Sequence, residues 1–386
     1  MANENMGASP PIENASVAAC VAAGTLALVV MGLMPLLYSA YVSEATISAQ
    51  RLGLLGAIEL LAITLGSGAG VLVLRKVDVR LIALAGVFLL CGGNLLVAKP
   101  GDTELLFLFR TIAGSGAGLL VGVAASAIAR TIRIGAWAGI YLLGQSITQF
   151  AVMRWFAIYA PGSDGAQIQL ALAVMGVLAI ATIPLFPAHF SPLYDDSRAI
   201  QRLPAGRGLL GLAAAFLCIG GAGGAWAYLE LWMHGQGVSH GDGAHLLSLA
   251  LLGQIFGSVA GTFIADGRLS WLRLLAIILA LGGTSIAWLQ APSSEYLAFL
   301  FGLFFALGAP VFTGVLVHLD PEKRAYSYSS TAQFAGVAII PTIAGEALAL
   351  HSLTLVIIAC TAMVFASAAL IATQVPHFLR THRGSV

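Results

Sequence analysis

Residues 108–123 read LFRTIAGSGAGLLVGV and residues 300–315 read LFGLFFALGAPVFTGV. The two stretches align at a fixed offset. A second pair, GSGAG from Gly66 and GSVAG from Gly257, recurs at nearly the same spacing. In a chain rich in glycine and leucine either match alone is weak. Two matches at equivalent places predict that the chain is a duplication, with each copy contributing the same set of elements. Apart from Arg110 both longer stretches are free of charge and mostly apolar, and runs long enough for the roughly 20 residues that cross a bilayer core recur on either side of them.

Composition leads to the same place. The chain has 386 residues, 59% hydrophobic and only 9% charged, against roughly 25% charged in soluble domains. So few polar groups cannot clothe a water-soluble surface, and the lipid bilayer is the expected environment. A net charge of +1 leaves no basic face for nucleic acid. Cys20, Cys91, Cys218 and Cys360 all lie inside apolar stretches, where they act as small hydrophobes, and no disulfide is expected. The first fourteen residues hold Glu4 and Glu13 but no Lys or Arg. With no positive n-region, the first apolar segment is expected to stay as a span.

Gly, Pro and charge punctuation divides the chain into twelve predicted helices, approximately 15–41, 48–74, 81–98, 105–129, 136–160, 167–187, 208–235, 244–265, 270–289, 296–318, 325–350 and 353–374. The segment AHFSPLYDDSRAIQRLPAGR, 188–207, is the longest polar stretch. It is expected to link a six-helix bundle over 1–187 to a second over 208–386. Basic residues test this division. One set of loops and the tail holds Arg75, Lys76, Arg80, Arg130, Arg133, Arg198, Arg202, Arg207, Arg268, Arg273, Lys323, Arg324, Arg380 and Arg383, while the opposite side has Arg51 and Lys99. Both termini and the linker are therefore expected in the cytoplasm. Trp155, Trp232 and Trp288 fall near the outer ends of their spans, as interfacial anchors do.

In the fourth span, Arg110-Thr-Ile-Ala-Gly114-Ser-Gly116-Ala-Gly118 resembles the arginine and spaced glycines of major facilitator superfamily transporters. Asp266-Gly-Arg268 after the eighth span resembles the end of that family's Gly-x-x-x-Asp-Arg loop signature, with Thr262 where the signature has glycine. After the second span the matching position is Arg75, with the acid displaced to Asp78. The resemblance implies an all-α membrane protein of twelve transmembrane helices in two pseudo-symmetric six-helix halves. It further implies gating at Arg75, Asp78, Asp266 and Arg268, spans 1, 4, 7 and 10 lining a pathway, and spans 3, 6, 9 and 12 facing lipid. The fifth span, GIYLLGQSITQFAVMRWF over 139–156, lacks the proline that the family's drug/proton antiporters carry there, which disfavours multidrug efflux.

Charges inside the spans carry the functional argument, since each costs about 2.5 to 3.5 kcal/mol at a helix centre. Glu59, Arg110, Glu230 and Glu346 are the four, and they are expected to converge on a common polar chamber between the midplane and the outside. Arg110 can bind a carboxylate or steady a neighbouring acid. Glu59 suits a proton site or a helix-packing hydrogen bond. Glu230 follows Trp226 by one turn with Tyr228 between them, a face for an organic ligand or an aromatic packing stripe. Glu346 follows Thr342 by one turn. Tyr141, Gln145 and Gln149 form a polar stripe at i, i+4 and i+8 that suits a cavity wall. Arg154, off that stripe and near the span's end, reads as a side chain snorkelling to the interface. Gly220, Gly221, Gly223 and Gly224 suit either a bend in the seventh span or close helix packing.

Met233, His234, His240, Asp242 and His245 form a constellation that can collect a transition metal, although histidines of a glycine-rich loop are more often solvated. No bound metal and no cofactor is expected. No Walker loop or HExxH is present, so this chain is not expected to be an enzyme. The expectation is a monomeric secondary transporter in a bacterial inner membrane, moving a small organic, anionic and partly hydrophobic solute with protons. Hydrophobic-compound efflux, metal transport and a non-transporting membrane receptor or enzyme are the rivals.

Overall fold

The computed structural model describes residues 14–74, 76–97, 103–131, 134–190, 206–264, 269–320, 325, 328–348 and 351–374. Among these the long elements are all helices: α1 Asn14–Ala27, α2 Val29–Ser43, α3 Leu52–Val73, α4 Val79–Val97, α5 Thr103–Ile128, α6 Ile134–Tyr159, α7 Gly165–Ile180, α8 Arg207–Gly235, α9 His240–Ile264, α10 Ser270–Gln290, α11 Glu295–Leu319, α12 Ser329–Leu348 and α13 Leu353–Thr373. Single 3₁₀ turns lie at Ala49–Arg51 and Ile183–Leu185.

Ten stretches of the described residues, with α1 and α2 counted as one, are long and apolar enough to cross a membrane. Helices α6 and α12 match them in length, at 26 and 20 residues. Large apolar side chains stand bare on the outward faces, among them Phe88 at 77% and Phe263 at 83% exposure. Water would penalise such faces, and a bilayer accommodates them. The chain is a helical, multi-pass membrane protein.

Helix α5 shows why the spaced glycines matter. A Cβ at Gly114 would press on the Glu59 carbonyl, and one at Gly118 on the Ile63 carbonyl, both in α3. On another face, Gly116 abuts the backbone of Leu90 and Gly86 in α4. Small residues let the three backbones approach and exchange dispersion contacts. Helix α11 meets α9 in the same manner, through Gly253, Gly257 and Gly302. Other pairings recur as well: α4 with α5 as α10 with α11, α4 with α7 as α10 with α13, and α1 with α5 as α8 with α11. Between these two sets, α3 packs on α12, α6 on α9 and α2 on α8.

The first predicted span is broken rather than continuous. Leu28 departs from helical geometry, with φ −96° and ψ 12°, and Gln149 Nε2 of α6 donates to its carbonyl at 2.9 Å. Pro35 then removes the N–H that would have satisfied the carbonyl four residues back. That carbonyl belongs to Met31, and Trp226 Nε1 of α8 donates to it at 3.1 Å. Each irregularity thus exposes a carbonyl that another helix engages. The glycines of the seventh predicted span serve packing: α8 runs unbroken, with Gly220 against Gly336 and Gly221 against the Cys360 carbonyl.

The helices present two ends. Arg80, Arg130, Arg207 and Arg273 lie at the one where α3 and α5 finish; Glu44, Glu104, Arg154, His245 and Glu295 lie at the other. The 188–207 linker falls outside the described residues beyond its first three and last two positions.

Candidate functional site: a buried ion pair beside an interhelical seam

Arg110 is 1% exposed, as is Glu59. Its Nε donates to Glu59 Oε2 at 3.2 Å, its Nη2 donates to Glu59 Oε1, and its Nη1 donates to Asn94 Oδ1 at 2.7 Å. The guanidinium fork thus spends one edge on the carboxylate and one tip on the amide, the bidentate geometry that arginine favours. Asn94 is itself held, since its Nδ2 donates to the Leu90 carbonyl at 2.8 Å. Helix α5 delivers Arg110, α3 delivers Glu59 and α4 delivers Asn94, and the glycine contacts set their separation. Removing either charge strands the other in a low-dielectric interior, which costs about 3–5 kcal/mol.

Tyr38 connects this pair to its surroundings. Its side chain is 1% exposed, and it interacts electrostatically with Glu59, Arg110 and Tyr228. Among the described residues its hydroxyl has no hydrogen-bond partner. Tyr228 in turn belongs to the seam between the two sets of helices. The Gly53 amide donates to the Tyr228 hydroxyl at 2.9 Å, and the Thr342 hydroxyl donates to the Gly53 carbonyl at 2.8 Å. Gly53 and Gly345 have no room for a Cβ, the first against Pro341 and Thr342, the second against the Tyr228 hydroxyl. One turn on, Gln50 Nε2 donates to Glu346 Oε2 at 3.1 Å. Arg154 of α6 meets His245 of α9 at the same end of the molecule.

No protein-family model matches this sequence, and no curated protein is similar to it.

The four charged candidates therefore do not share one chamber. Glu59 and Arg110 meet. Glu230 lies apart on α8, 1% exposed, with Oε1 3.4 Å from His240 Nδ1 and Oε2 unpartnered among the described residues. Glu346 is exposed at the rim. Of the expected cavity wall, Tyr141 and Gln145 are half-buried, whereas Gln149 is buried on the Leu28 carbonyl and Trp226 on that of Met31. Thr342 and Tyr228 line the seam. Of the residues that the resemblance marks for gating, Arg75, Asp266 and Arg268 lie outside the described residues, and Asp78 Oδ1 accepts from the Arg80 amide at 2.8 Å, capping the start of α4.

The histidine constellation divides between two places. His234 and His240 stack with ring centroids 4.0 Å apart, while His245 turns toward Arg154 and Glu295. Among the described residues no group of three or more His, Cys, Asp or Glu side chains is placed to hold a metal. Residues 237–241, GVSHG, spell the G-x-S-x-G of hydrolase nucleophile elbows, but here they join two helices. Ser239 Oγ accepts from the Asp242 amide at 3.2 Å and donates to the Asp242 carboxylate at 2.6 Å. Its role is that of an N-cap for α9.

Sequence reasoning passed over Asn94, Tyr38 and Gln169, whose Nε2 donates to the buried Tyr41 hydroxyl. The signal was there for Asn94, the sole hydrogen-bonding side chain of the apolar run from Leu81 to Val97 apart from Cys91. A lone carboxamide in a membrane helix needs a partner, and Arg110 was the nearest unsatisfied donor.

Proposed function

We propose that this chain is a secondary transporter of the major facilitator type, with twelve spans in two six-helix halves that rock about a midplane site. It sits in a bacterial inner membrane with both termini cytoplasmic and moves a small organic solute together with protons. The observation that carries this reading is the seam: two sets of helices with recurring pairings, joined among the described residues by polar contacts gathered toward one end. With the Glu104 end taken as outside, that arrangement is an outward-closed state, and among the described residues opening it parts Gln50, Gly53 and Arg154 from Glu346, Tyr228, Thr342 and His245, and strains the deeper bond from Trp226 to the Met31 carbonyl.

The Glu59–Arg110 pair supplies the coupling. While Glu59 is ionised it occupies the Arg110 fork. A proton placed on Glu59 removes that charge and leaves Arg110, still tethered to Asn94, a cation without an anion in a dry interior. A solute carboxylate then completes the pair, so proton and anion enter together. Trp226 and Tyr228 of α8, turned to α2 and to α3 respectively, suit a solute with a hydrophobic body once the seam opens. Candidate solutes are found by thermal stabilisation of the purified protein. Uptake into proteoliposomes then tests the reading: Arg110→Ala is expected to abolish accumulation while the protein still inserts, and wild-type accumulation by that variant contradicts it.

A further inference from the structure

Arg154, read from sequence as a snorkelling side chain, instead reaches across the seam. Its Nη1 points at His245 Nδ1, and the other ring nitrogen, Nε2, lies 3.2 Å from Glu295 Oε1. Arginine has donors only. Nδ1 must therefore be the unprotonated acceptor, and Nε2–H must be the donor to Glu295. His245 makes both contacts in its neutral form and in one tautomer alone.

We propose that His245 is a proton-binding site that fastens the two halves at the outer end when neutral and releases them when charged. A proton arriving at Nδ1 replaces the acceptor with an N–H and sets an imidazolium against a permanent cation. The same charge strengthens the bond to Glu295, which lies with His245 on the second set of helices. Protonation thus moves His245 from a contact between halves to a contact within one half, and Arg154 is let go. Water reaches both members of the inner contact, since the side chains of His245 and Glu295 are 31% and 68% exposed. Among the described residues the charged and titratable groups near His245 are Arg154 from α6, Glu295 from α11, Glu230 from α8, which lies against Gly243 two residues away, His234 of α8, stacked on His240, and His240 and Asp242 on its own helix. Glu230 and His240 engage each other, and Asp242 engages Ser239, so Arg154 and Glu295 are the two that His245 chooses between.

The inference rests on the alternating-access reading, and a distance measurement separates the two. Spin labels at Tyr159→Cys and Gln236→Cys, both exposed and on opposite sides of the seam, are read by double electron–electron resonance in lipid nanodiscs. The background is a cysteine-free chain that keeps the native unfolding midpoint. As pH falls from about 8 to about 5, the range in which imidazoles titrate, the short-distance population is expected to give way to a longer one. His245→Gln, which keeps an acceptor for Arg154 and cannot gain a proton there, should hold the short distance throughout. His240→Gln should respond like the unsubstituted protein. Arg154→Ala should show the long distance at both pH values. A His245→Gln chain with the native pH response overturns the proposal, as does a native chain insensitive to pH beside an Arg154→Ala chain that opens. Labels fixed in every variant at every pH overturn the alternating-access reading itself.

Discussion

The crossing of α3 with α5 and that of α9 with α11 stand at equivalent places in the sequence repeat and share close glycine packing, and they differ in what occupies two matched positions. At the offsets of that repeat, Arg110 aligns with Gly302 and Glu59 with Ala250. In the first crossing these positions hold a buried ion pair seconded by Asn94. In the second, Gly302 lies so close to the Ala250 backbone that no Cβ fits. Close packing of small residues is the inexpensive way to join two helices in a membrane. The first crossing has the same glycine packing and adds two charges to it, and in the proposed function those charges serve coupling and not adhesion.

Substitutions at the two crossings should break the molecule differently. Arg110→Ala leaves the Glu59 carboxylate buried and alone, and is expected to destabilise by about 3–5 kcal/mol, read as a fall in thermal midpoint larger than that of any single change at the second crossing or the seam. The double variant Glu59→Gln/Arg110→Gln should recover most of that loss without recovering uptake. Restored uptake would reduce the pair to a structural joint. Next in size, Gly302→Ala forces a methyl into the α9 backbone and should cost about 1–3 kcal/mol, while leaving the pH dependence of uptake by the surviving folded protein unchanged. At the seam, Tyr228→Phe leaves the Gly53 amide without its acceptor, for about 1 kcal/mol. In the proposed alternating access that bond exists only while the halves are closed, so the loss should appear as a shift toward the outward-open distance more than as unfolding. Gln50→Ala removes a hydrogen bond at the exposed rim and should leave the thermal midpoint where it is.

The helical, membrane-spanning class was legible in the sequence because hydropathy is a sum over many residues, and an error at one position changes little. Arg110 and Glu59 were legible as a pair for the same energetic reason that keeps charges out of lipid. Their separation from Glu230 and Glu346 was not. A charge must find a partner, but nothing in the linear order says which, and Glu230 found His240 while Glu346 found Gln50. Gln149 illustrates the other blind spot. A polar stripe on a helix face suits a water-filled cavity, yet it equally suits a neighbouring helix with a carbonyl to satisfy, and the break at Leu28 that supplies this carbonyl lies far off in the chain. Trp226 and Met31 repeat the lesson: Pro35 announces a freed carbonyl at Met31, but only the fold shows that an indole from α8 answers it.

Coupling a proton to the movement of a solute is the work proposed for the Glu59–Arg110 pair. It is tested most directly by accumulation in proteoliposomes of a solute chosen by thermal stabilisation, with an imposed proton gradient and no other energy source. Wild-type protein is expected to concentrate the solute against its own gradient, and Glu59→Gln to equilibrate it without concentrating it. A wild-type protein that binds the solute and moves none, or a Glu59→Gln protein that concentrates it as well as wild type, would contradict the account.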